Sequence, residues 1–147
     1  MFIGNAETTI DDKGRLALAR KWHLELAPGF IMTRGIDSCV CIFAAATFEI
    51  FVRNLGLSIA SSDVRIYARH LTAFAEQGTL DRQGRIVIPP SLRQFADMND
   101  QVTIVGVLNR LELWDSKKFA EMNALSETSI VQVAEKIASR DHGYEGT

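Results

Sequence analysis

The sequence has little cysteine, no long apolar run and no excess of basic charge. Its two cysteines, Cys39 and Cys41, are the whole thiol inventory, and its net charge is −2. No apolar run approaches the ~20 residues of a membrane span. The first residues, MFIGNAETTI, lack the basic stretch followed by an apolar one that marks a signal peptide. These absences predict a cytoplasmic protein with no membrane partner, and any nucleic-acid binding must come from local patches.

Signatures of catalysis are also missing. The sequence shows no paired carboxylates at helical spacing, no nucleophile elbow, no phosphate-cradling glycine loop and no metal cluster. His23, His70 and His142 are scattered without ligand spacing. We therefore expect no enzymatic activity, no cofactor, no bound metal and no small-molecule ligand.

The two cysteines are separated by a single residue. In an extended strand, residues so spaced have Cβ atoms roughly 7 Å apart on one face. A disulfide needs Cβ atoms roughly 3.5–4.5 Å apart, so this pair would have to distort the strand. We expect inert strand cysteines rather than redox or metal-binding ones.

What the sequence does contain is an internal repeat. The segment TIDDKGRLALA (9–19) matches TLDRQGRIVIP (79–89) at an offset of 70 residues, and GIDSCVCIF (35–43) matches GVLNRLELW (106–114) at an offset of 71. The repeat predicts two copies of one unit of about 45 residues, a size too small to bury a good core alone. We therefore expect the copies to interlock, with strands of one completing the sheet of the other.

Each copy carries Asp-x-x-Gly-Arg between two short strand patterns. Asp11 and Asp81 can accept backbone hydrogen bonds, and Gly14 and Gly84 can supply a positive φ, so these four residues are interpreted as turn structure. The strand that precedes each turn and the strand that follows it are expected to form a hairpin-like element. In the second copy, Pro89-Pro90 predicts the start of a short helix after the second strand.

Three apolar stripes at helical spacing predict helices that pack on the β core or on a neighbouring subunit. One contains Phe48 and Leu55, another runs from a cap at Ser61 or Ser62 to an end at Gly78, and the last contains Ile130 and Ile137. The predicted fold class is mainly β with packed helices (α+β). The expected segments are unit 1 (5–50), a helical connector (51–74), unit 2 (75–118), a C-terminal helical segment (119–140) and a flexible tail (141–147).

The start MF-x-G, the two Asp-x-x-Gly-Arg motifs, RIVIPPSLR and VGVLNRLELWD resemble the MraZ family of bacterial transcriptional regulators. The resemblance implies tandem SpoVT/AbrB-type swapped-hairpin units that form a pseudo-dimeric β-barrel within one chain. It also implies a nucleoid-associated DNA-binding regulator that assembles as a ring-shaped, octamer-like homo-oligomer. The expected target is a set of direct repeats in the promoter of the division and cell-wall gene cluster, which includes the regulator's own gene.

The residues themselves are compatible with DNA binding. Arg15 and Arg85 follow the two turns, and an arginine fork can bind guanine O6 and N7 when a β-ribbon enters the major groove. Other basic residues nearby would suit phosphate contacts, which position a protein without specifying sequence. These are Lys13, Arg20, Lys21, Arg82 and Arg93.

The sequence leaves alternatives open for the two arginines and for the function of the ring. Arg15 and Arg85 could merely pair with Asp11 and Asp81, which contributes only ~0–1 kcal/mol when the pair is exposed. The ring could also act as a scaffold for a protein partner without DNA. Finally, the first copy has Ala19 and His23 where the second has Pro89 and Arg93, so its helix start and its local charge are expected to differ.

Overall fold

Eight strands and five α-helices make up the regular structure of the described residues. The structure is a computed structural model that describes residues 1–56 and 60–142, without the side chains of residues 141 and 142. The strands are β1 (Asn5–Thr9), β2 (Arg15–Ala17), β3 (Phe30–Arg34), β4 (Val40–Ala44), β5 (Glu76–Gly78), β6 (Arg85–Val87), β7 (Gln101–Val107) and β8 (Arg110–Asp115). The helices are α1 (His23–Leu26), which follows a 3-10 turn at Arg20–Trp22, α2 (Ala45–Asn54), α3 (Ser62–Thr72), α4 (Pro90–Phe95) and α5 (Ser116–His142). The structure mixes helices with a mostly antiparallel sheet, so the expected α+β class is confirmed, but it is not mainly β, because α5 alone is longer than any strand.

The strands around each Asp-x-x-Gly-Arg turn pair with strands of the other copy. Strand β1 pairs with β7, β5 pairs with β3, and β2 pairs with β6, all antiparallel. The expected interlocking of the copies is therefore confirmed. The expected hairpin within each copy is wrong, because β2 forms its ladder with β6 and not with β1. Residues 10–14 separate β1 from β2, a longer link than the two-residue turn of a tight hairpin.

The sheet order is β1-β7-β8-β4-β3-β5, and β2 and β6 form a separate two-stranded ribbon. Strands β1 and β5 are the two edges of the six-stranded sheet, so this sheet is open. The closed pseudo-dimeric barrel implied by the resemblance is thus not confirmed. None of the described helices combines the length and the apolar character of a membrane span.

Residues at equivalent positions of the two copies supply much of the core. The ribbon places Leu16 directly opposite Ile86, and β4 and β8 place Cys41 directly opposite Glu112. These are matched positions of the repeat, so the copies are related by an approximate two-fold axis that passes through both pairs. Buried pairs that follow the repeat include Leu16 and Ile86, Leu18 and Ile88, and Trp22 and Leu92.

Two helix starts lie where the sequence predicts them, and one helix end does not. Ser61 Oγ accepts the N–H of Val64 at 3.5 Å, which confirms the predicted cap of α3, and Pro90 occupies the first turn of α4. Helix α3 ends at Thr72, however, and Gly78 lies in β5. Gly78 serves close packing instead, since a Cβ there would lie 2.5 Å from Cε2 of the buried Phe30 ring.

The backbone divides into one unit, Met1–Ser116, and a second, Lys117–Thr147, whose described part is α5. The predicted C-terminal helix is confirmed and is longer than expected. The segment boundaries expected from the repeat stay a prediction. Of the tail expected at 141–147, the part beyond His142 lies outside the described residues.

Candidate nucleic-acid interface

The first turn is held by the carboxylate of Asp11. Its Oδ1 accepts the backbone N–H of Lys13 at 3.0 Å and of Arg15 at 2.8 Å, and its Oδ2 accepts Nε of Arg15 at 2.8 Å. Gly14 has φ +80, and a Cβ there would lie 2.9 Å from the carbonyl oxygen of Ile88. The conformation and the close approach therefore both require glycine.

The second turn repeats this geometry. Asp81 Oδ1 accepts the N–H of Gln83 and of Arg85, each at 2.8 Å, and Oδ2 accepts Nε of Arg85 at 2.9 Å. Gly84 has φ +73. Each aspartate thus accepts backbone hydrogen bonds of its own turn, and each arginine pairs with its aspartate.

These hydrogen bonds shift the ionisation of the aspartates. The backbone N–H of Arg15, followed by its guanidinium, holds the pKa of Asp11 below its usual value, and Arg85 does the same to the pKa of Asp81. Both carboxylates are thus charged near neutral pH and fix the Nε edge of their arginine. Among the described residues, no hydrogen bond engages the terminal Nη atoms of either guanidinium, so these atoms can donate to a ligand.

Both arginines lie on one face of the β2–β6 ribbon. Arg15 pairs with Val87, and Ala17 pairs with Arg85. Leu16 and Ile86 are buried, whereas Ala17 and Val87 are exposed and the two arginines are partly exposed. Because side chains alternate along a strand, these four residues share the outward face, with the arginines about 7–8 Å apart on its diagonal. We call this surface the ribbon face.

Each turn is completed by a helical segment of the other copy. A Cβ at Gly14 would lie 3.8 Å from Nη1 of Arg93, so Arg93 of the second copy approaches the first turn. His23 of the first copy approaches the second turn, where a Cβ at Gly84 would lie 2.4 Å from its Cε1. The His23 Nε2 also lies 2.7 Å from the carbonyl oxygen of Leu18, as a hydrogen bond. The substitution of Arg by His noted in the sequence therefore makes the charge beside the two turns unequal.

The difference at Ala19 has little effect on the backbone. Ala19 has φ −60 and ψ 138, close to the φ −59 and ψ 146 of Pro89. The helical segment of the first copy nevertheless begins with the 3-10 turn at Arg20–Trp22, whereas that of the second copy begins directly with an α-helix. The expected difference in helix start is confirmed.

The remaining basic residues are not all close to the ribbon face. Lys13 and Arg82 are exposed within the turns, and Arg20 is exposed in the 3-10 turn. Lys21 Nζ bonds the carbonyl oxygen of Asn5 at 3.3 Å, at the start of β1, and lies 4.7 Å from the centre of the Trp22 ring. Strand β1 separates that position from the turn at Asp11, so Lys21 is remote from the first arginine.

Sequence reasoning missed two features of this region. It placed each arginine at the tip of its own hairpin, whereas both lie on a ribbon that the copies build together. It also missed the exposed Ala17 and Val87 between them, although the alternation in RLALA and RIVIP indicates one outward face.

Cys39 and Cys41 are free and buried, and their sulfurs lie on the same side, as expected for residues two apart in a strand. Their expected inertness stays a prediction. Cys41 lies in β4 and Cys39 directly before that strand, where the Gly35 N–H donates to the Cys39 carbonyl oxygen and continues the pairing of Arg34 with Val40. The sulfurs of Cys39 and Cys41 and a carboxylate oxygen of Glu112 lie within 4.8 Å of one another. Spacing in sequence could not show this cluster, because Glu112 comes from the other copy. Phe51 of α2 and Tyr67 and Leu71 of α3 line a cavity with Cys41.

Comparisons with known proteins agree along the length of the chain. A family model described as "MraZ protein, putative antitoxin-like" matches residues 1–69 and 71–141. The chain is 38% identical over 139 residues to "Transcriptional regulator MraZ" of Roseiflexus sp. (strain RS-1), covering 94% of this chain and 97% of the relative. A protein of the same name from Cutibacterium acnes is 35% identical over 134 residues, covering 90% of this chain and 94% of the relative. Another from Natranaerobius thermophilus is 32% identical over 142 residues, covering 96% and 99%.

Proposed function

The chain belongs to the MraZ family, and on that premise we propose that it regulates transcription by binding double-stranded promoter DNA in a sequence-specific manner. The observation that carries the proposal is the ribbon face, where Arg15 and Arg85 lie together on an exposed two-stranded ribbon. Because the family is named for transcriptional regulators rather than for a catalysed reaction, we assign the chain no enzymatic activity.

The ribbon face suits the major groove of DNA. That groove admits a two-stranded β-ribbon, and an arginine can bind guanine through two hydrogen bonds. Asp11 and Asp81 hold Arg15 and Arg85 by Nε, which leaves the Nη atoms to reach O6 and N7. The aspartates therefore position the arginines, and this orientation reduces the side-chain entropy lost on binding.

Ala17 and Val87 add apolar contacts between the arginines. Val87 is 54% exposed, an unusual fraction for a β-branched residue in a strand. Its methyl groups can contact the methyl group of thymine in the major groove. The ribbon face thus favours a site that contains both guanine and thymine.

Phosphate contacts are proposed for the basic residues around the ribbon face. Lys13 and Arg82 are exposed in the two turns, and Arg93 lies beside the first. Arg20 and Lys21 lie farther along the first copy and would meet phosphates only if the DNA extends past the ribbon. Such contacts position the protein and depend on salt.

A single chain presents one ribbon face, so we propose that a ring-shaped homo-oligomer supplies the avidity. Exposed apolar side chains support self-association. They are Leu24, Ile36 and Leu108 within Met1–Ser116, and Leu125, Ile130, Val131 and Ile137 on α5. Linked contacts can raise the overall affinity by ~10²–10⁴ when sites are repeated. Direct repeats in the promoter of the division and cell-wall gene cluster, including its own gene, are the proposed target, bound at the nucleoid in the cytoplasm.

Footprinting on the DNA upstream of the chain's own gene tests this function. Protection of short repeats, with affinity that falls steeply as salt rises, is expected because phosphate contacts release counterions. A protein that forms the ring but leaves this DNA unprotected at low salt would instead be a scaffold for a protein partner. No observation in the structure favours that second function over the first.

A further inference from the structure

Cys39, Cys41 and Glu112 meet at the centre of the six-stranded sheet, and two features of the fold bring them together. Strands β4 and β8 place Cys41 opposite Glu112. Cys39 directly precedes β4, two residues before Cys41 and on the same side, and the Gly35 N–H donates to its carbonyl oxygen at 2.8 Å. A Cβ at Gly35 would lie 2.6 Å from Cys39 Sγ and 3.0 Å from Cys41 Sγ, so the absence of a side chain there gives both sulfurs their space.

We propose that Cys39, Cys41 and Glu112 bind a thiophilic divalent cation of the Zn²⁺ class. Their donor atoms lie within 4.8 Å of one another. A tetrahedral zinc site with Zn–S distances of about 2.3 Å has sulfurs about 3.8 Å apart, so a small contraction of the cluster would suffice. Two thiolates select such an ion over Mg²⁺ or Ca²⁺, which prefer oxygen ligands.

The charges around the cluster favour an ion of this valence. Arg110 lies against the cluster, with Nη2 at 3.0 Å and Nε at 3.3 Å from Glu112 Oε2. With the ion bound, two thiolates and one carboxylate are balanced by the two positive charges of the ion and the one of Arg110. The group is then neutral, so the buried cysteines hold no unpaired charge.

Cysteines bind a metal ion as thiolates, so binding at this site would displace the thiol protons of Cys39 and Cys41.

Neighbouring groups orient the carboxylate and leave space for a further ligand. Glu112 Oε1 accepts the Trp114 Nε1–H at 3.2 Å, and Oε2 accepts from Arg110. Such partners of a ligating group fix its direction and strengthen a metal site. Cys41 and Glu112 also line a cavity of about 230 Å³, which can hold a water as the fourth ligand.

The site depends on both copies of the repeat. Cys39 and Cys41 occupy the positions that Arg110 and Glu112 occupy in the second copy. One copy thus supplies the thiols, and the other supplies the carboxylate and the balancing cation from equivalent positions. Only the antiparallel pairing of β4 with β8 brings the two sets together.

The test is a titration of the reduced full-length protein with Co²⁺, which reports thiolate coordination by a charge-transfer band. The band should saturate at one ion per chain and disappear when excess Zn²⁺ is added. Cys41→Ser should abolish it, whereas Asp12→Asn should leave it unchanged, because Asp12 is an exposed carboxylate of the first turn and is not among the three donors. A band that persists at full strength in Cys41→Ser would overturn the proposal.

A second measurement needs no variant and so does not depend on how substitutions fold. Zn²⁺ at about ten times its Kd should slow alkylation of the two thiols about tenfold, because only the free fraction reacts. Equal alkylation rates with and without Zn²⁺, or conversion of the pair to an intramolecular disulfide in the presence of Zn²⁺, would contradict the site. Neither experiment involves DNA, so their failure would leave the proposed function untouched.

Discussion

Leu16 and Ile86 lie directly opposite each other in the β2–β6 ribbon, although they are the same position in two copies of one repeat. Both are buried, at 1% exposure each, and each buried side chain of this type contributes ~1.5–3 kcal/mol. Their contact anchors the ribbon to the core and leaves the flanking arginines outside. The proposed DNA-reading surface is therefore fixed by a core pair that neither copy can form alone.

Replacing the arginines of the ribbon face should remove sequence discrimination. Arg15→Ala and Arg85→Ala should each weaken binding to the specific site by ~1–3 kcal/mol per contact. Each should also reduce the difference in affinity between the specific repeat and a mutated repeat. Titration onto DNA with one repeat measures this without the multiplying effect of the ring. Arg53→Ala is the matched control, since Arg53 is an exposed arginine on α2 that pairs with Glu49. If the double variant still assembles and binds the operator as the wild type does, the ribbon face is not the reader.

Lys21 should behave differently from the arginines. Lys21→Ala should weaken specific and random DNA about equally and reduce the salt slope by roughly 1, if Lys21 meets a phosphate. Measuring the affinity for both DNAs over a range of salt concentrations gives this slope. An unchanged slope would show that Lys21 serves only its contacts with Asn5 and Trp22.

The two turn glycines should respond alike to alanine but differently to a second substitution at His23. Gly14→Ala and Gly84→Ala should each destabilise the fold by about 1–3 kcal/mol, because both need a positive φ. The Cβ at Gly14 meets the Ile88 carbonyl oxygen, whereas the Cβ at Gly84 meets the His23 ring. His23→Ala should therefore partly rescue Gly84→Ala and not Gly14→Ala, as measured by urea unfolding. Equal rescue of both would refute this explanation.

The turns should lose stability in acid. Asp11 and Asp81 have folded-state pKa values below the ordinary 3.8, so their contribution is fully present above that pH and is lost as the pH falls through the lower folded values. The difference in urea midpoint between wild type and Asp11→Asn should therefore be present at neutral pH and shrink in acid. Asp12→Asn is the control, since Asp12 accepts none of the hydrogen bonds that close the turn. A difference that stays constant with pH would rule out the ionised carboxylate as the cause.

The apolar stripe of α5 should carry part of the assembly. Ile130 and Ile137 are 58% and 56% exposed, and replacing both with Glu should shift the protein to smaller species in light scattering. Thr128→Glu, on the opposite side of the helix by its spacing, adds a charge without touching the stripe. A clean monomer in the wild type at micromolar concentration would remove the ring from the proposal altogether.

Much of the fold was accessible from local pattern. The repeat predicted matched elements, Asp11 and Gly14 predicted the first turn, and Pro90 and Ser61 predicted helix starts, because each depends on backbone chemistry within a few residues. Gly78 was misread as a helix end. Its role is to admit the Phe30 ring, and that contact joins residues 48 positions apart in sequence, which no local pattern reports.

The sequence by itself determined the two copies, their turns and the alternation that buries Leu16 and Ile86. It could not determine which strand pairs with which, because a hairpin within one copy and an exchange between copies satisfy the same alternation. The tertiary structure decided that choice through the shared core, which neither copy is large enough to form alone. The same exchange of strands puts Arg15 beside Arg85 and brings Cys39, Cys41 and Glu112 together, so both proposed sites exist only in the folded pair.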